Sequence, residues 1–458
     1  MGNKIRYMKR YNFKFIDLFA GIGGFHQAMT LYGGECVFTS EIDIECKKQY
    51  EKQFRAKVHG DINLCLNDIP EFDVLCAGFP CQTFSKAGNQ EGFNDKMKGQ
   101  LFFRIIDILK KHKECKFIVL ENVRNLADNK EFWNTIQQEL KALDFFITQD
   151  PIIKSPADFG IPQNRERVYI LGIKKSLINT NKLKNGWIHT EELKLQEFEK
   201  KCVEGTAFSI LDLNNKENKK YIITNEEKLV LKAWEEFKRE IIPSKQIGAP
   251  IWLDYFGLGI EGRDNDLFKE KTGYYKQLVK AKKKHRDNPS LACQILQDGT
   301  ILEDTPDWKK RFIDRNRELY LDNKNKIDNW YSKYCSILNK KVFRKFEWNC
   351  GPNYTPFKNC IIQFRQSGVR VKKSDTFPSL VAIVNTPVIW DKILNDYRKI
   401  TVREAANLQS FRANYNFICE NNVSYKQLGN AVNVKVIKII TRQLFDLAID
   451  GWDKTNKG

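Results

Sequence analysis

The amino-acid sequence predicts an α/β protein in which a doubly wound, mostly parallel sheet is interrupted by a second, smaller domain. Two observations lead to this prediction. In the first third of the chain, short apolar runs alternate with segments of helical periodicity, which is the pattern of parallel strands joined by helices. Beyond residue 173 the alternation gives way to a basic and aromatic stretch, and amphipathic helices return from about residue 400.

The individual elements follow from the same periodicities. Apolar runs predict strands over 13–19, 36–40, 72–76, 117–121, 145–153 and 168–173, and later over 360–365 and 379–384. Helical spacing predicts helices over 24–32, 43–54, 101–111, 131–143 and 226–239, and further helices within 400–449. We therefore expect a first domain at 12–175, a linker or insertion at 176–245, a second domain at 246–395, and a return to the first domain at 396–458.

Composition narrows the class of partner. The 458 residues include 76 Lys and Arg against 57 Asp and Glu, a net charge of +19, which favours nucleic acid as a partner ahead of an anionic membrane. No apolar run reaches the roughly 18 residues of a membrane span, and the basic N-terminal stretch does not match a signal peptide. The twelve cysteines contain no Cys-x-x-Cys, and the five histidines are not spaced with them as metal ligands, so we expect no metal.

A glycine-rich turn follows the first predicted strand, in the sequence FIDLFAGIGGF at 15–25. Such a turn lets a ligand approach the backbone at a helix N-terminus. Glu41, about 20 residues on, stands where an acid can hold ribose hydroxyls, so an adenosine-containing ligand is one interpretation. His26 replaces the third glycine of a dinucleotide fingerprint, and a tight turn without any ligand is the alternative.

Three further segments carry reactive side chains. Cys81 and Glu121 stand at the carboxyl ends of predicted strands, where ligands bind in doubly wound sheets, and Arg165 and Arg167 alternate onto one face at the start of another strand. Cys81, in AGFPCQ, could be a nucleophile if its thiol pKa is lowered, or a buried inert cysteine. Glu121 could be a protonated hydrogen-bond donor, or a cap or salt-bridge residue. Arg165 and Arg167 could bind a phosphate or a base carbonyl, or form a solvated strand end.

Together these motifs resemble the DNA (cytosine-5) methyltransferase family. They are DLFAGIGGF at 17–25, Glu41, GDI at 60–62, GFPCQ at 78–82 with Ser85, ENV at 121–123, QNRER at 163–167, ITVREAANLQ at 400–409 and QLGNAV at 427–432. Their order and spacing match the family over roughly the first 175 and last 60 residues. The resemblance implies a Rossmann-like methyltransferase domain with an inserted, smaller target-recognition domain in the variable middle of the chain.

The resemblance also implies a role for each matched residue. The catalytic residues would be Cys81, which attacks C6 of cytosine, Glu121, which holds N3 and the exocyclic amine, and Arg167 with Arg165 at the cytosine O2. Binding of S-adenosylmethionine is implied for Phe19, Gly21, Gly23, Gly24, Glu41, Asp61 and Asn430. Phe19 would stack on the adenine, Asp61 would hold its N6, and Glu41 would hold the ribose. Gln82 and Ser85 would contact DNA.

The Lys-, Asn- and Ile-rich composition and the lack of a targeting signal suit a bacterial cytoplasm, at the nucleoid. We expect a monomer that acts on duplex DNA without membrane or metal, and the resemblance adds a separate restriction endonuclease. Three alternatives remain at this point. A transfer-RNA cytosine methyltransferase is one, although its Cys-Phe-Thr element is missing from the variable half. Methylation of amino groups on adenine or cytosine is disfavoured because GFPC stands where an Asp/Asn/Ser-Pro-Pro-aromatic element would be needed. A catalytically silent DNA-binding protein is the third.

The basic-aromatic middle has two interpretations of its own. Its aromatic side chains could form the core of the second domain while its Lys and Arg are solvated. Alternatively, some of its polar and basic side chains read bases in the major groove, and the segment 363–373 is then the preferred candidate.

Overall fold

The computed structural model describes residues 10–80, 100–178, 186–245, 250–256, 306–381 and 385–453. The chain forms two compact units. The first comprises Met1–Asp212, Ser374–Val384 and Ile400–Gly458, and the second comprises Leu213–Lys373 and Asn385–Lys399. The second unit therefore interrupts the first in sequence, and the predicted doubly wound α/β fold with an inserted smaller unit is confirmed.

The first unit is built on one sheet whose strand order is β2-β1-β3-β4-β8-β5-β9, with β6 also paired to β8. Its strands are β1 (Phe13–Leu18), β2 (Gly34–Ser40), β3 (Val74–Ala77), β4 (Phe117–Val123), β5 (Phe145–Thr148), β6 (Ile152–Lys154), β8 (Arg167–Lys174) and β9 (Trp187–Ile188). Strands β1 to β4 are parallel, and β8 is antiparallel to its neighbours β4, β5 and β6. The strand order reverses between β1 and β3, and such a reversal opens a ligand-binding crevice at the carboxyl ends of the strands.

Helices connect these strands and complete the first unit. They are α1 (Gly24–Thr30), α2 (Ile44–Phe54), α3 (Gln100–Lys111), α4 (Asn125–Asp128), α5 (Lys130–Ala142) and, after the second unit, α9 (Val402–Leu408), α10 (Asn421–Asn430) and α11 (Val434–Asp446). Side chains cap the N-termini of two of these helices. Asp43 caps α2 by accepting hydrogen bonds from Glu45 N and Cys46 N, and Thr401 forms a capping box with Glu404 at the start of α9.

The second unit has its own sheet in the order β10-β11-β13-β12-β15-β16. These strands are β10 (Ile251–Trp252), β11 (Lys345–Asn349), β12 (Ile361–Arg365), β13 (Gly368–Lys372), β15 (Val388–Asp391) and β16 (Asp396–Lys399). Its helices are α6 (Asn225–Glu236), continued by a π-helical turn (Phe237–Ile241), α7 (Asp307–Asp322) and α8 (Lys324–Leu338).

Aromatic side chains form much of the core of the second unit. The ring of Trp234 stacks on Phe346 with centroids 4.9 Å apart, and Trp330 lies 5.2 Å from the same Trp234 ring. Trp348 and Tyr331 are also buried there. For these residues the core interpretation of the basic-aromatic middle is confirmed.

Two predicted strands differ from the structure. The single strand expected over 145–153 is two strands, β5 and β6, because Pro151 lacks the N–H that a continuous ladder would need. The strand expected over 379–384 is wrong for 379–381, which have no strand, while 382–384 lie outside the described residues. A short strand lies immediately before this segment instead: Phe377–Pro378 (β14) pairs with Gln163–Asn164 (β7).

The segment expected as a linker or insertion, 176–245, is divided between the two units. Residues up to Asp212 belong to the first unit, and those from Leu213 belong to the second. Helix α6 buries Val230 and Trp234 in the aromatic core of the second unit, so this part of the segment packs as a structural element.

Candidate active site

The glycine-rich turn after β1 presents bare backbone at the carboxyl edge of the sheet. Phe19 and Gly21 have φ angles of 55° and 54°, in the left-handed region that residues other than glycine rarely adopt. Gly23 is the N-cap of α1. A Cβ atom on Gly21 would have no heavy atom within 4 Å, so the turn borders open space there. A Cβ atom on Gly24 would lie 2.6 Å from Val432 Cγ2, and glycine is therefore required at that position.

Glu41 is hydrogen-bonded to this turn. Its Oε2 accepts from Gly21 N at 2.8 Å, and its Oε1 accepts from Asp43 N at 2.8 Å. The carboxylate therefore lies between the turn and the start of α2. Since each carboxylate oxygen has two lone pairs, it can still accept from the hydroxyl groups of a ligand.

Asp61 lies near the same end of β2. Glu41 N donates to His59 O at 3.0 Å, so the chain just before Asp61 runs beside the end of that strand. Asp61 is exposed, and its Oδ1 accepts from Asn63 N at 2.9 Å. The two acids predicted for the cofactor are thus brought to one edge of the sheet.

Exposed apolar side chains, which the sequence analysis did not single out, flank these two acids. Ile42 and Ile44 follow Glu41, and Leu64 follows Asp61 by three residues. Covering exposed isoleucine and leucine side chains with a ligand removes their apolar surface from water, which favours binding. This edge can therefore bind a molecule that has both a flat apolar ring and hydroxyl groups.

The junction between α10 and α11 closes the other side of the glycine turn. Asn430 is exposed at the end of α10, and Val432 contacts the turn at Gly24. Ala431 O, between them, accepts a hydrogen bond from Arg165 Nη2 at 3.1 Å. The junction therefore links the glycine turn to one of the two predicted catalytic arginines.

Arg165 is a buried brace. Besides Ala431 O, its guanidinium donates through Nη1 to Leu380 O at 2.8 Å and to Ser379 Oγ at 3.2 Å. Burial, with the neighbouring Arg167, lowers the pKa of Arg165 to about 9. The hydrogen bonds that it donates go to oxygens of the protein itself, so Arg165 joins three segments that are distant in sequence.

Glu121 and Arg167 form an ion pair at the end of β4. Arg167 Nε lies 3.2 Å from Glu121 Oε1, because the antiparallel β4–β8 ladder places the two residues on neighbouring strands. Burial raises the pKa of the Glu121 carboxyl, against the opposing effect of Arg167 and Arg165. A carboxyl group with a raised pKa is suited to donate a hydrogen bond as well as to accept one.

The segment that precedes the predicted nucleophile starts beside Glu121. A Cβ atom on Gly78 would lie 4.0 Å from Glu121 Oε2, and Asn122 Nδ2 donates to Phe79 O at 3.0 Å. Pro80 is the last described residue here, and Cys81, Gln82 and Ser85 lie outside the described residues. Asn122, part of the ENV motif, was given no role from the sequence alone.

A buried polar cluster lies on the interior side of the glycine turn. Asp17, in the DLFAGIGGF motif, is fully buried, and its Oδ2 accepts from Tyr50 OH at 3.5 Å. Tyr50 OH also lies 2.7 Å from His26 Nδ1 and 3.0 Å from Thr39 Oγ1. Burial raises the pKa of Asp17 well above its ordinary value and lowers that of His26 to about 4. The motif residue Asp17 therefore ties β1 to α1 and α2 from inside the protein.

The structure thus brings together two groups of predicted residues. The first group is Phe19, Gly21, Gly23, Gly24, Glu41, Asp61 and Asn430, and the second is Glu121, Arg165 and Arg167. Within the described residues no cluster of His, Cys, Asp or Glu could hold a metal ion. Among the described helices, none is long and apolar enough to cross a membrane.

Comparison with known proteins places this site in a family. The family model for C-5 cytosine-specific DNA methylase matches residues 13–446. The chain is 30% identical to the type II methyltransferases M.BanI of Aneurinibacillus aneurinilyticus, over 94% of this chain and 95% of that protein, and M.HgiCI of Herpetosiphon aurantiacus, over 95% and 98%. It is 46% identical to M.HpaII of Haemophilus parainfluenzae over 176 residues, which are 36% of this chain and 48% of that protein.

These matches cover nearly the whole chain, and the chain belongs to the C-5 cytosine-specific DNA methylase family. The predicted enzyme class, a DNA cytosine-5 methyltransferase that acts on DNA, is thereby confirmed. The chain spans about half the length of M.HpaII but almost all of the length of the other two relatives.

Proposed function

We propose that this enzyme transfers a methyl group from S-adenosylmethionine to C5 of a cytosine within one short duplex DNA sequence, through a covalent bond between Cys81 and C6 of a flipped-out base. The observation that carries the proposal is the buried carboxyl of Glu121, paired with Arg167 and adjacent to the segment that leads to Cys81. Relatives that match almost the whole chain are named as type II methyltransferases.

The residues at the carboxyl edge fit S-adenosylmethionine. The open space at Gly21 admits a ligand against bare backbone, and Glu41 retains lone pairs for ribose hydroxyls. Exposed Ile42, with Phe19, provides apolar surface for the adenine ring, while Asp61 and Asn430 offer polar groups. When bound, this cofactor supplies an electrophilic methyl group next to the cytosine.

Glu121 prepares the base for attack. Burial raises the pKa of the Glu121 carboxyl, so this group is suited to hold a proton and direct it to N3 of cytosine. Protonation at N3 makes C6 electrophilic, so the Cys81 thiolate can form the S–C6 bond while the C5–C6 π electrons make C5 nucleophilic. After C5 has accepted the methyl group, loss of the C5 proton restores the double bond and releases the thiolate.

The two arginines have different tasks in this proposal. Arg167, half-buried and ion-paired to Glu121, can present its guanidinium to O2 of the cytosine. Arg165, whose donors are directed to Leu380, Ser379 and Ala431, supports the site as a brace. This assigns Arg165 a positioning role and leaves contact with the base to Arg167.

The net charge of +19 provides affinity for the phosphate backbone, and flipping one base out of the duplex costs a few kcal/mol. We infer that the second unit is the target-recognition domain and that Gln82 and Ser85 contact DNA. We also infer that the enzyme works as a monomer in a bacterial cytoplasm, alongside a separate restriction endonuclease of the same specificity.

The test is methyl transfer from labelled S-adenosylmethionine to duplex DNA and, in parallel, to transfer RNA, followed by bisulfite sequencing of the DNA. We expect label in DNA alone, at one repeated cytosine context. Cys81→Ser should lose more than about 1,000-fold in rate because the nucleophile is removed. The matched control is Cys335→Ser, which removes a half-exposed thiol of the second unit and should leave the rate unchanged.

Each other outcome assigns a different function. Label only in RNA would identify a transfer-RNA methyltransferase. Full activity of Cys81→Ser would rule out the covalent route, and no label in either nucleic acid, with cofactor still bound, would indicate a silent DNA-binding protein.

A further inference from the structure

One face of the sheet in the second unit is polar and basic. Side chains alternate along β11, β13 and β12, and one set, including Phe346, Val369 and Phe364, packs in the aromatic core. The strand register places the other set together on the opposite face. That set includes Lys345, Glu347, Gln363, Arg365, Arg370 and Lys372, together with the buried apolar residue Ile361.

Glu347 is the centre of this face. Its Oε2 accepts from Arg370 Nε at 2.7 Å and from Arg365 Nη1 at 2.9 Å, and Lys345 Nζ lies 3.2 Å from Oε1. Three cations around one carboxylate leave two net positive charges. Burial alone would raise the pKa of Glu347, but Arg370 and Arg365 outweigh it and hold that pKa below its ordinary value.

The contacts of Arg370 leave one edge of its guanidinium available. Nε and Nη2, along one side, both lie 2.7 Å from Glu347 Oε2. No described residue accepts a hydrogen bond from Nη1, and 31% of the side chain is exposed. The Nη1–Nη2 end can therefore donate two parallel hydrogen bonds to a ligand, in an orientation that Glu347 holds.

Gln363 lies beside Arg370 on this face. It pairs with Arg370 across the β12–β13 ladder, it is only 6% exposed, and its Oε1 has no hydrogen-bond partner among the described residues. This oxygen is buried, so Gln363 packs beneath Arg370, and the partly exposed guanidinium of Arg370 is a group on this face that a ligand can reach.

We propose that this face binds duplex DNA in its major groove, with Arg370 reading a guanine through its Nη1–Nη2 edge and Glu347 acting as the positioning residue for Arg370. Arginine pairs in this way with O6 and N7 of guanine, which the major groove displays. The excess of positive charge matches the phosphate backbone, and B-form DNA is favoured over RNA because the A-form major groove is too narrow for side chains. The proposal rests on the proposed function and adds the residues that determine sequence specificity.

The experiment compares variants of the full-length enzyme for the context of methylation and for DNA affinity. Arg370→Lys keeps the charge but loses the planar fork. We expect its preference for the wild-type sequence over single-base variants of that sequence to fall on the order of 10- to 100-fold at one G·C pair, with affinity for unrelated duplex DNA unchanged. Glu347→Gln should shift preference at the same base pair by a smaller factor, because Arg370 is then less firmly oriented.

The matched control is Arg239→Lys, at an exposed arginine that is paired to Glu240 outside this face and should keep the wild-type context. Binding of S-adenosylmethionine to every variant reports that the first unit is folded. If Arg370→Lys and Glu347→Gln both keep the wild-type context, the inference is wrong while the proposed function stands. If the wild-type enzyme labels no duplex DNA, or labels only RNA, the proposed function fails first and the inference fails with it.

Discussion

Two carboxylates, one in each unit, have similar surroundings but opposite properties. The side chains of Glu121 and Glu347 are 11% and 13% exposed, and each has two arginines close by. Yet the pKa of Glu121 lies above its ordinary value, and that of Glu347 lies below it. The first is suited to carry a proton and the second to be a fixed anion.

The difference lies in where the arginines direct their donors. Arg165 donates to three oxygens of the protein itself, and Arg167 gives Glu121 one contact at 3.2 Å. Glu347 instead receives hydrogen bonds at 2.7 and 2.9 Å from both of its arginines. Burial raises the pKa of both carboxyls; Arg370 and Arg365 outweigh it at Glu347, whereas Arg167 and Arg165 do not outweigh it at Glu121.

The largest expected effect concerns the proton of Glu121. Glu121→Gln cannot transfer a proton to N3, so we expect the single-turnover rate of methyl transfer to fall by roughly 100- to 10,000-fold while cofactor affinity is kept. Rapid-quench assays at saturating DNA measure this. Glu226→Gln, at an exposed acid of α6, is the matched control. A rate within a few fold of wild type would refute the role of Glu121 as a proton donor.

A smaller effect is expected on the free energy of unfolding, and it should differ between Arg165 and Arg365. Arg165→Ala leaves the carbonyls of Leu380 and Ala431 without their donor, so we expect a loss of about 2–5 kcal/mol in the free energy of unfolding. Arg365→Ala, at a side chain that is 29% exposed, should cost less than about 1 kcal/mol. Urea unfolding followed by tryptophan fluorescence compares the two. Equal losses would contradict the buried-brace interpretation of Arg165.

The smallest effect is a pH dependence of opposite sign for the two glutamates. Because the pKa of Glu121 is raised on folding, its contribution to stability declines as the pH rises above the unfolded value of 4.5. The pKa of Glu347 is lowered, so its contribution is present above 4.5 and is lost as the pH falls.

As the pH rises from 4 to 7, the melting temperature of Glu121→Gln should therefore rise relative to that of wild type. Over the same range the melting temperature of Glu347→Gln should fall relative to that of wild type. Differential scanning calorimetry at several pH values tests this. If the difference in melting temperature between variant and wild type changed with pH in the same direction for both variants, the opposite pKa shifts of the two carboxyls would be refuted.

Sequence reasoning located the elements of the first unit to within a few residues, because their apolar periodicities are regular. It was less successful where a single residue sets the end of an element, as at Pro151, which divides one predicted strand into two. In the second unit it proposed the segment 363–373 as a candidate for base reading, and it could not say which side chains of that segment share a face with those of other strands. Glu347, eighteen residues before Arg365, carried no motif that marks it as their common partner.

By itself, the sequence determined the fold class and the family, because these depend on periodicity and on ordered motifs, and it proposed most of the charged side chains of the candidate site. Only the tertiary structure decided what each charged side chain does. The direction of a pKa shift depends on burial and on which donors reach a carboxyl, and both depend on residues that are distant in sequence. Arg165 is a brace because Leu380 and Ala431, more than 200 residues away along the chain, accept its hydrogen bonds.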